Sequence, residues 1–326
     1  MKLHSIWEPY PELATELGEV TKLIERSIQM RNKEVETVLK DVFNRGGKML
    51  RPAYTLLFST FGSEHDAKRA QAVAASIELL HTATLIHDDI IDDSPKRRGQ
   101  ETIQSRYGKD AAVYAGDYLF TVSFRLLAQY VQSNQQFEVN TKGMERILMG
   151  ELDQMRLYYH THMTIRQYLT QISGKTAQLF ALSCYAGALE GGLPEKRARI
   201  AYHIGSHMGM AFQILDDVLD YTISSEDFGK PVLEDVRQGI YTAPLIFAMR
   251  KNRSAFLSLL NKKEKMTEED TKKVRQLVIE LDGVSEAKRL AEKYTEKSLK
   301  KIKSLPDTKE KAIIYQLTKQ LLSRKI

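Results

Sequence analysis

The sequence predicts an all-α protein, and three observations support that class. Only 8 prolines and 18 glycines occur in 326 residues, and long stretches lack both, which favours helix over strand. Apolar residues recur at three- and four-residue spacings through most of the chain. No alternating apolar–polar run of five or more, the mark of a half-buried strand, occurs. The expectation is a single domain, residues 1–326, containing a dozen or so helices; the length is ample for a large core, and no linker divides it.

The elements follow in order. Residues 12–45 read as two amphipathic helices, LATELGEVTKLIERSIQM and EVETVLKDVFNR, broken by Arg45-Gly46-Gly47-Lys48. Pro52 suits the first turn of the third, which Gly62 ends. The fourth begins near Ser63 and runs through LLHTATLIHDDIID, so long and so sparsely charged that burial on several sides is implied; Ser94-Pro95 stops it. A basic loop, KRRGQET, leads to a short helix at IQSRYG and an apolar one over 111–130. GMERILMGELDQMRLYY and TIRQYLTQISGKTAQLFALSCYAGALEGG come next, and Gly191, Gly192 and Pro194 mark a break. RARIAYHIGSHMGMAFQILDDVLDY then precedes the longest polar loop, TISSEDFGKPVLEDVRQG. From Thr242 the chain is helical and more polar, with breaks over 261–267 and 305–307, and Thr267 with Asp270 as an N-terminal cap.

Composition narrows the classes. Apolar residues make up 42% and charged residues 28%, as in ordinary soluble proteins. The lone Cys184 excludes an internal disulfide and a thiolate metal site, and in LFALSCYAGA it reads as a small buried filler. No run of about 18 apolar residues is present. The N-terminus, MKLHSIWEPYPELATEL, has no signal-peptide core, so a cytoplasmic location is expected. The net charge of +6 gathers in the C-terminal third, as in AKRLAEKYTEKSLKKIK. It reads as a solvated helix face, since no aromatic-studded basic patch accompanies it.

The chemistry concentrates in two stretches. LIHDDIIDDSPKRRG ends an apolar helix with Asp88, Asp89, Asp92 and Asp93; AFQILDDVLDY repeats the spacing with Asp216, Asp217 and Asp220. Like charges one turn apart repel and are tolerable when water or a hard divalent cation neutralises them. Magnesium shares its oxygens readily with phosphate, and the basic candidates nearby suit a diphosphate. These are Lys48 and Arg51 in GGKMLRP, Arg97 and Arg98, Lys175 in GKTA and Lys230 in FGKP. His81, two turns before Asp88, shares its stripe with Thr84, Leu80 and Ile77, beside the small Ala83, Ala75 and Ala74. The second acid helix carries Gly205, Gly209 and Ala211. Packed around a shared channel, such helices make a charged mouth over an apolar depth, fit for a diphosphate head on a hydrocarbon tail.

A lone DDxxD is more often a solvated helix end than a metal site. Two of them, with RRG after the first and GKP after the second, form a specific combination. From GGKMLRP through QGIYTAP the chain resembles the trans-isoprenyl diphosphate synthases of the polyprenyl synthetase family. The resemblance implies an all-α bundle around a deep central cavity (the isoprenoid synthase type I fold) and head-to-tail (1′-4) addition of isopentenyl diphosphate to an allylic diphosphate. It implies three Mg²⁺ ions bound with the allylic diphosphate by Asp88, Asp89, Asp92, Asp216 and Asp217, with Asp220 supporting. Arg97, Lys175 and Lys230 are implied to grip the allylic diphosphate, and Lys48, Arg51, His81 and Arg98 isopentenyl diphosphate. Thr176 and Gln213 match positions near the reacting carbons. His87 and Asp93 receive no role. Ile240 stands where relatives often have a lysine.

The same resemblance makes Leu80, Ala83 and Thr84 chain-length positions. Short-chain members have bulky aromatics four or five residues before the first aspartate, so the small Ala83 and Thr84 imply an all-trans product of C30 or longer, as in quinone side-chain precursors. A C15–C20 product is the alternative. The implied assembly is a homodimer, or a heteromer in which this catalytic chain needs a small regulatory subunit, with at most peripheral membrane contact and no nucleic acid. A terpene cyclase would not need the second diphosphate pocket of GGKMLRP, His81 and RRG, and non-catalytic subunits typically lose the aspartates kept here.

Overall fold

The computed structural model describes residues 3–44, 47–97, 99–131, 134–222 and 233–322. These are helical almost throughout, as expected. The exception is a hairpin in the basic loop, where β1 (Lys96–Arg97) pairs antiparallel with β2 (Gln100–Glu101) around Gly99 at φ +77°. Two-residue strands are too short to leave an alternation in the sequence. The contacts fall into two compact units, residues 1–144 with 182–202, and residues 145–181 with 203–326.

The first unit is centred on α4 (Ala67–Ile91), about 37 Å long at 1.5 Å per residue. It starts later than Ser63 because Asp66 caps it, its carboxylate accepting from Arg69 N at 2.9 Å. Both flanks are buried, as the lack of charge implied. Against it pack α1 (Pro11–Ser27), α3 (Leu50–Ser59) and, most extensively, α6 (Lys109–Tyr130). The α4–α6 seam closes through small groups: Ser76 and Ser123 hydroxyls lie 2.8 Å apart and buried, and a Cβ on Gly116 would meet His87 Nε2 at 2.4 Å. His87 is thus a packing residue. The N-terminal segment is anchored by Trp7, fully buried, whose indole N–H donates to Lys48 O at 2.9 Å. Cys184 is buried as expected.

The second unit is built on α8 (Ile165–Ile172), a π-helical turn (Ser173–Ala177), the start of α9 (Gln178–Glu190) and the acid-bearing end of α10 (Glu195–Thr222). Tyr168, Ile214, Val218, Tyr221, Phe256 and Val278 are among its core. Thr267 and Asp270 cap the helix Glu268–Glu280 reciprocally, as the sequence predicts. One expectation is corrected. A Cβ on Gly205 would stand 2.3 Å from Phe180 O, and one on Gly209 2.6 Å from Ala177 Cα. These glycines let α10 touch the backbone beside it and line no channel.

Candidate active site

In the first unit Asp88 and Asp92 stand one turn apart at the end of α4, Asp88 half-buried and Asp92 exposed. Asp89, about 100° round the helix, points inward and is 6% exposed. Its Oδ1 accepts from Arg97 Nε at 2.7 Å, so the hairpin returns a guanidinium to the acids that precede it. Burial pushes the Asp89 carboxyl up, with Arg97 opposing. Asp93, at φ +50°, is exposed and pairs with Lys109 at 2.9 Å, apart from the cluster.

Beside these residues lies a cleft of about 860 Å³, part of it open to solvent. Its α4 wall is Glu78, His81, Thr82, Leu85, Ile86 and Asp89; residues of 38–49 and the hairpin with Arg97, Gln100 and Glu101 close it. Arg51 Nη1 lies 3.0 Å from His81 Nε2. Arginine only donates, so Nε2 is the acceptor and the neutral imidazole carries its proton on Nδ1. Lys48 sits on the loop that Trp7 anchors, directly before Met49, whose φ of +50° turns the chain into α3. His81 shares the cleft with Asp89, whereas Leu80 and Ala83 are buried, Thr84 is half-buried, and none of the three lines it. Thr84 Oγ1 donates back to His81 O at 2.8 Å.

The second unit repeats the division of acids. Asp216 and Asp220 are exposed and one turn apart, and Asp217 between them is 4% exposed. Both Asp217 oxygens accept hydrogen bonds: Oδ2 from Tyr168 Oη at 2.5 Å, Oδ1 from Gln213 Nε2 at 2.8 Å. Gln213 Oε1 accepts from Thr176 Oγ1 at 2.7 Å. Thr176 and Lys175 sit in the π-helical turn, a wide turn that recurs at functional sites. Lys175 Nζ pairs with Glu151 Oε2 at 2.9 Å. Burial pushes Asp217 well above the usual carboxylate range, against the hydrogen bonds from Tyr168 and Gln213, and Tyr168 is raised by burial and by Asp217. Asp217 and the ion-paired Asp89 are thus buried, where Asp88 is half-buried and Asp92, Asp216 and Asp220 are exposed. Tyr168 escaped the sequence reading, since a tyrosine within QYLTQI is indistinguishable from a core aromatic. Ile240 is half-buried, its N–H bonded to Asp235 O at 2.8 Å. Arg98 and Lys230 lie outside the described residues.

Among the described residues no three His, Cys, Asp or Glu side chains form a ready cage for a metal ion. Magnesium takes one or two carboxylates and completes its shell with phosphate oxygens and water, and Asp88 with Asp92 and Asp216 with Asp220 are carboxylate pairs at one-turn spacing that could serve it so.

Residues 32–280 match the family described as Polyprenyl synthetase. Over 318 residues, 97% of each chain, the sequence is 33% identical to heptaprenyl diphosphate synthase component 2 of Geobacillus stearothermophilus. Geranylgeranyl pyrophosphate synthase of Lactobacillus brevis superposes with a TM-score of 0.94 at 43% identity, covering 98% of this chain and 99% of that one. A polyprenyl synthase of Caulobacter crescentus, whose structure holds calcium and isoprenyl diphosphate, gives 0.91 at 28% identity over the full length of both chains. The chain belongs to the polyprenyl synthetase family: it is a prenyltransferase of the trans-isoprenyl diphosphate synthase class, with that class's all-α isoprenoid synthase fold.

Proposed function

We propose that the protein extends an allylic diphosphate with isopentenyl diphosphate, in Mg²⁺-dependent head-to-tail condensation, to an all-trans polyprenyl diphosphate of C30 or longer. The observation that carries the site is the pair of outward carboxylates at one-turn spacing in each DDxxD: Asp88 with Asp92, and Asp216 with Asp220. These four would hold the metal, three ions in the family pattern, while Asp89 and Asp217 hold protein groups. Bound magnesium supplies the charge that lets a diphosphate depart from an allylic carbon.

The chain's own residues do the rest. Arg97, steadied by Asp89, and Lys175, steadied by Glu151, bind the allylic diphosphate with Lys230. Arg51 and neutral His81, with Lys48 and Arg98, bind isopentenyl diphosphate; the arginine offers a planar fork, the lysine a point charge. Thr176 spends its hydroxyl proton on Gln213, so its oxygen lone pairs remain to face the developing allylic cation. The family match draws on both compact units, which supports one domain.

Product length has two readings. The small Ala83 and Thr84, with the heptaprenyl relative, favour the long product; the geranylgeranyl synthase likeness favours C20. The assembly is a homodimer, supported by an exposed apolar stripe on α7 (Asn134–Met155) at Leu148, Met149, Leu152 and Met155. The second reading is a heteromer with a small subunit, favoured by the name "component 2" of the Geobacillus relative. No helix among the described residues is long and apolar enough to cross a membrane, in keeping with a cytoplasmic enzyme that meets the membrane at most peripherally. The test is incubation with labelled isopentenyl diphosphate, an allylic primer and Mg²⁺, then chromatography of the dephosphorylated products. Products of C30 or more are expected. Elongation only after cell extract is added establishes the heteromer, and no elongation under either condition overturns the assignment.

A further inference from the structure

Gln213 and Asp217 lie four residues apart on α10, side by side on one face. Gln213 Nε2 donates to Asp217 Oδ1 at 2.8 Å, while Tyr168 donates to the other oxygen, so the amide nitrogen is the atom that meets the buried acid. The amide oxygen is thereby turned to Thr176, whose hydroxyl donates to it. An amide that flipped would oppose oxygen to the Asp217 oxygen and turn Thr176 from donor into acceptor, its lone pair then spent on the amide nitrogen. The orientation of Thr176 therefore depends on where Asp217 is held, and Asp217 is held from its other side by Tyr168, 2% exposed on α8. The helix α8 is itself fixed by the reciprocal cap of Thr164 and Gln167 and leads directly into the π-helical turn that carries Thr176.

We propose that Tyr168 is a positioning residue for the prenyl transfer: its hydroxyl clamps Asp217, which locks the Gln213 amide and so keeps the Thr176 oxygen turned toward the reacting carbons. The chain of four runs from core to site, Tyr168 to Asp217 to Gln213 to Thr176, within one compact unit. The inference rests on the prenyltransferase reading for what the locked oxygen does, but the lock itself stands on the hydrogen bonds.

Tyr168→Phe keeps the ring and deletes only the hydroxyl. With the lock broken, kcat should fall about 10- to 100-fold, the cost typical of losing a supporting hydrogen bond behind a reactive group. The KM for isopentenyl diphosphate should hold, because Arg51 and His81 are untouched. Combining Tyr168→Phe with Gln213→Leu should be no worse than Gln213→Leu alone, since both act through one amide. Side-chain amide NMR on glutamine-labelled protein gives a readout without turnover: Gln213 should exchange slowly in the parent and shift and exchange faster in Tyr168→Phe. An unchanged Gln213 signal, an unchanged kcat, or fully additive losses would each overturn the inference. A parent protein that does not elongate would instead overturn the proposed function, leaving the Gln213 signal to decide the lock.

Discussion

Asp89 and Asp217 occupy the second position of their DDxxD motifs, and both are turned inward against protein donors, Arg97 in one case and Tyr168 with Gln213 in the other. Helix geometry produces this split. Positions one and five of the motif share a face, and position two lies about 100° away, so a helix that offers the pair to a ligand must tuck the middle acid under it. Removing an outward acid should therefore cost chemistry without costing the fold. Asp88→Asn is expected to lower kcat about 10²- to 10³-fold, in the range for losing one electrostatic contact to a transition state, with an unchanged thermal midpoint. A mild loss in a steady-state assay would remove Asp88 from the metal site. Asp89→Asn should act differently, raising the KM for the allylic diphosphate by freeing Arg97.

Elements meet through their smallest residues. The contact of α10 with Ala177 at Gly209 has no room for a side chain, so Gly209→Val should destabilise the protein by about 1–3 kcal/mol through overpacking, read as a lower urea midpoint at constant slope. Two residues earlier on α10, His207 stands against Tyr294 of α15 (Gly283–Lys303) and beside His203. Burial, with Lys297, Lys301 and His203 adding like charge, brings its pKa from 6.5 to about 4. From pH 6.5 down to about 4 the unfolded chain takes up a proton that the folded imidazole refuses. Stability present above pH 6.5 is thus lost as pH falls through that window. His207→Gln should flatten the decline in thermal midpoint between pH 7 and 4; an unaltered slope would show that other groups set it.

At the scale of the whole molecule the proposed function depends on a path for a growing chain and on divalent metal held by carboxylates. A chelator should abolish elongation reversibly, with activity restored by Mg²⁺; the weak carboxylate-only attachment predicts ready exchange. Thr84→Phe is the sounder chain-length variant, because Ala83 is fully buried and a phenyl there would disrupt the α4 packing before reaching any product. Shorter products from Thr84→Phe, seen by chromatography, are expected; an unchanged distribution would place the growing chain elsewhere. The all-helical class, the extents of most helices, the caps at Thr267 and Asp270 and the residues of both acid clusters were legible in the sequence, because periodicity, propensity and charge spacing are local properties. Pairings between distant segments were not. The sequence put His81 in line with Asp88, and tertiary structure added Asp89 beside it in one cleft; the sequence marked Gly205 and Gly209 as channel lining, and packing used them for backbone contact. It was silent on Trp7 beneath Lys48 and on Tyr168 behind Asp217. The sequence by itself determined which residues carry charge and at what helical spacing. Only the tertiary structure decided which of those acids are exposed and which are buried against donors such as Arg97 of the hairpin and Tyr168 of α8, since burial and hydrogen-bond partners are set by the chain's long-range contacts.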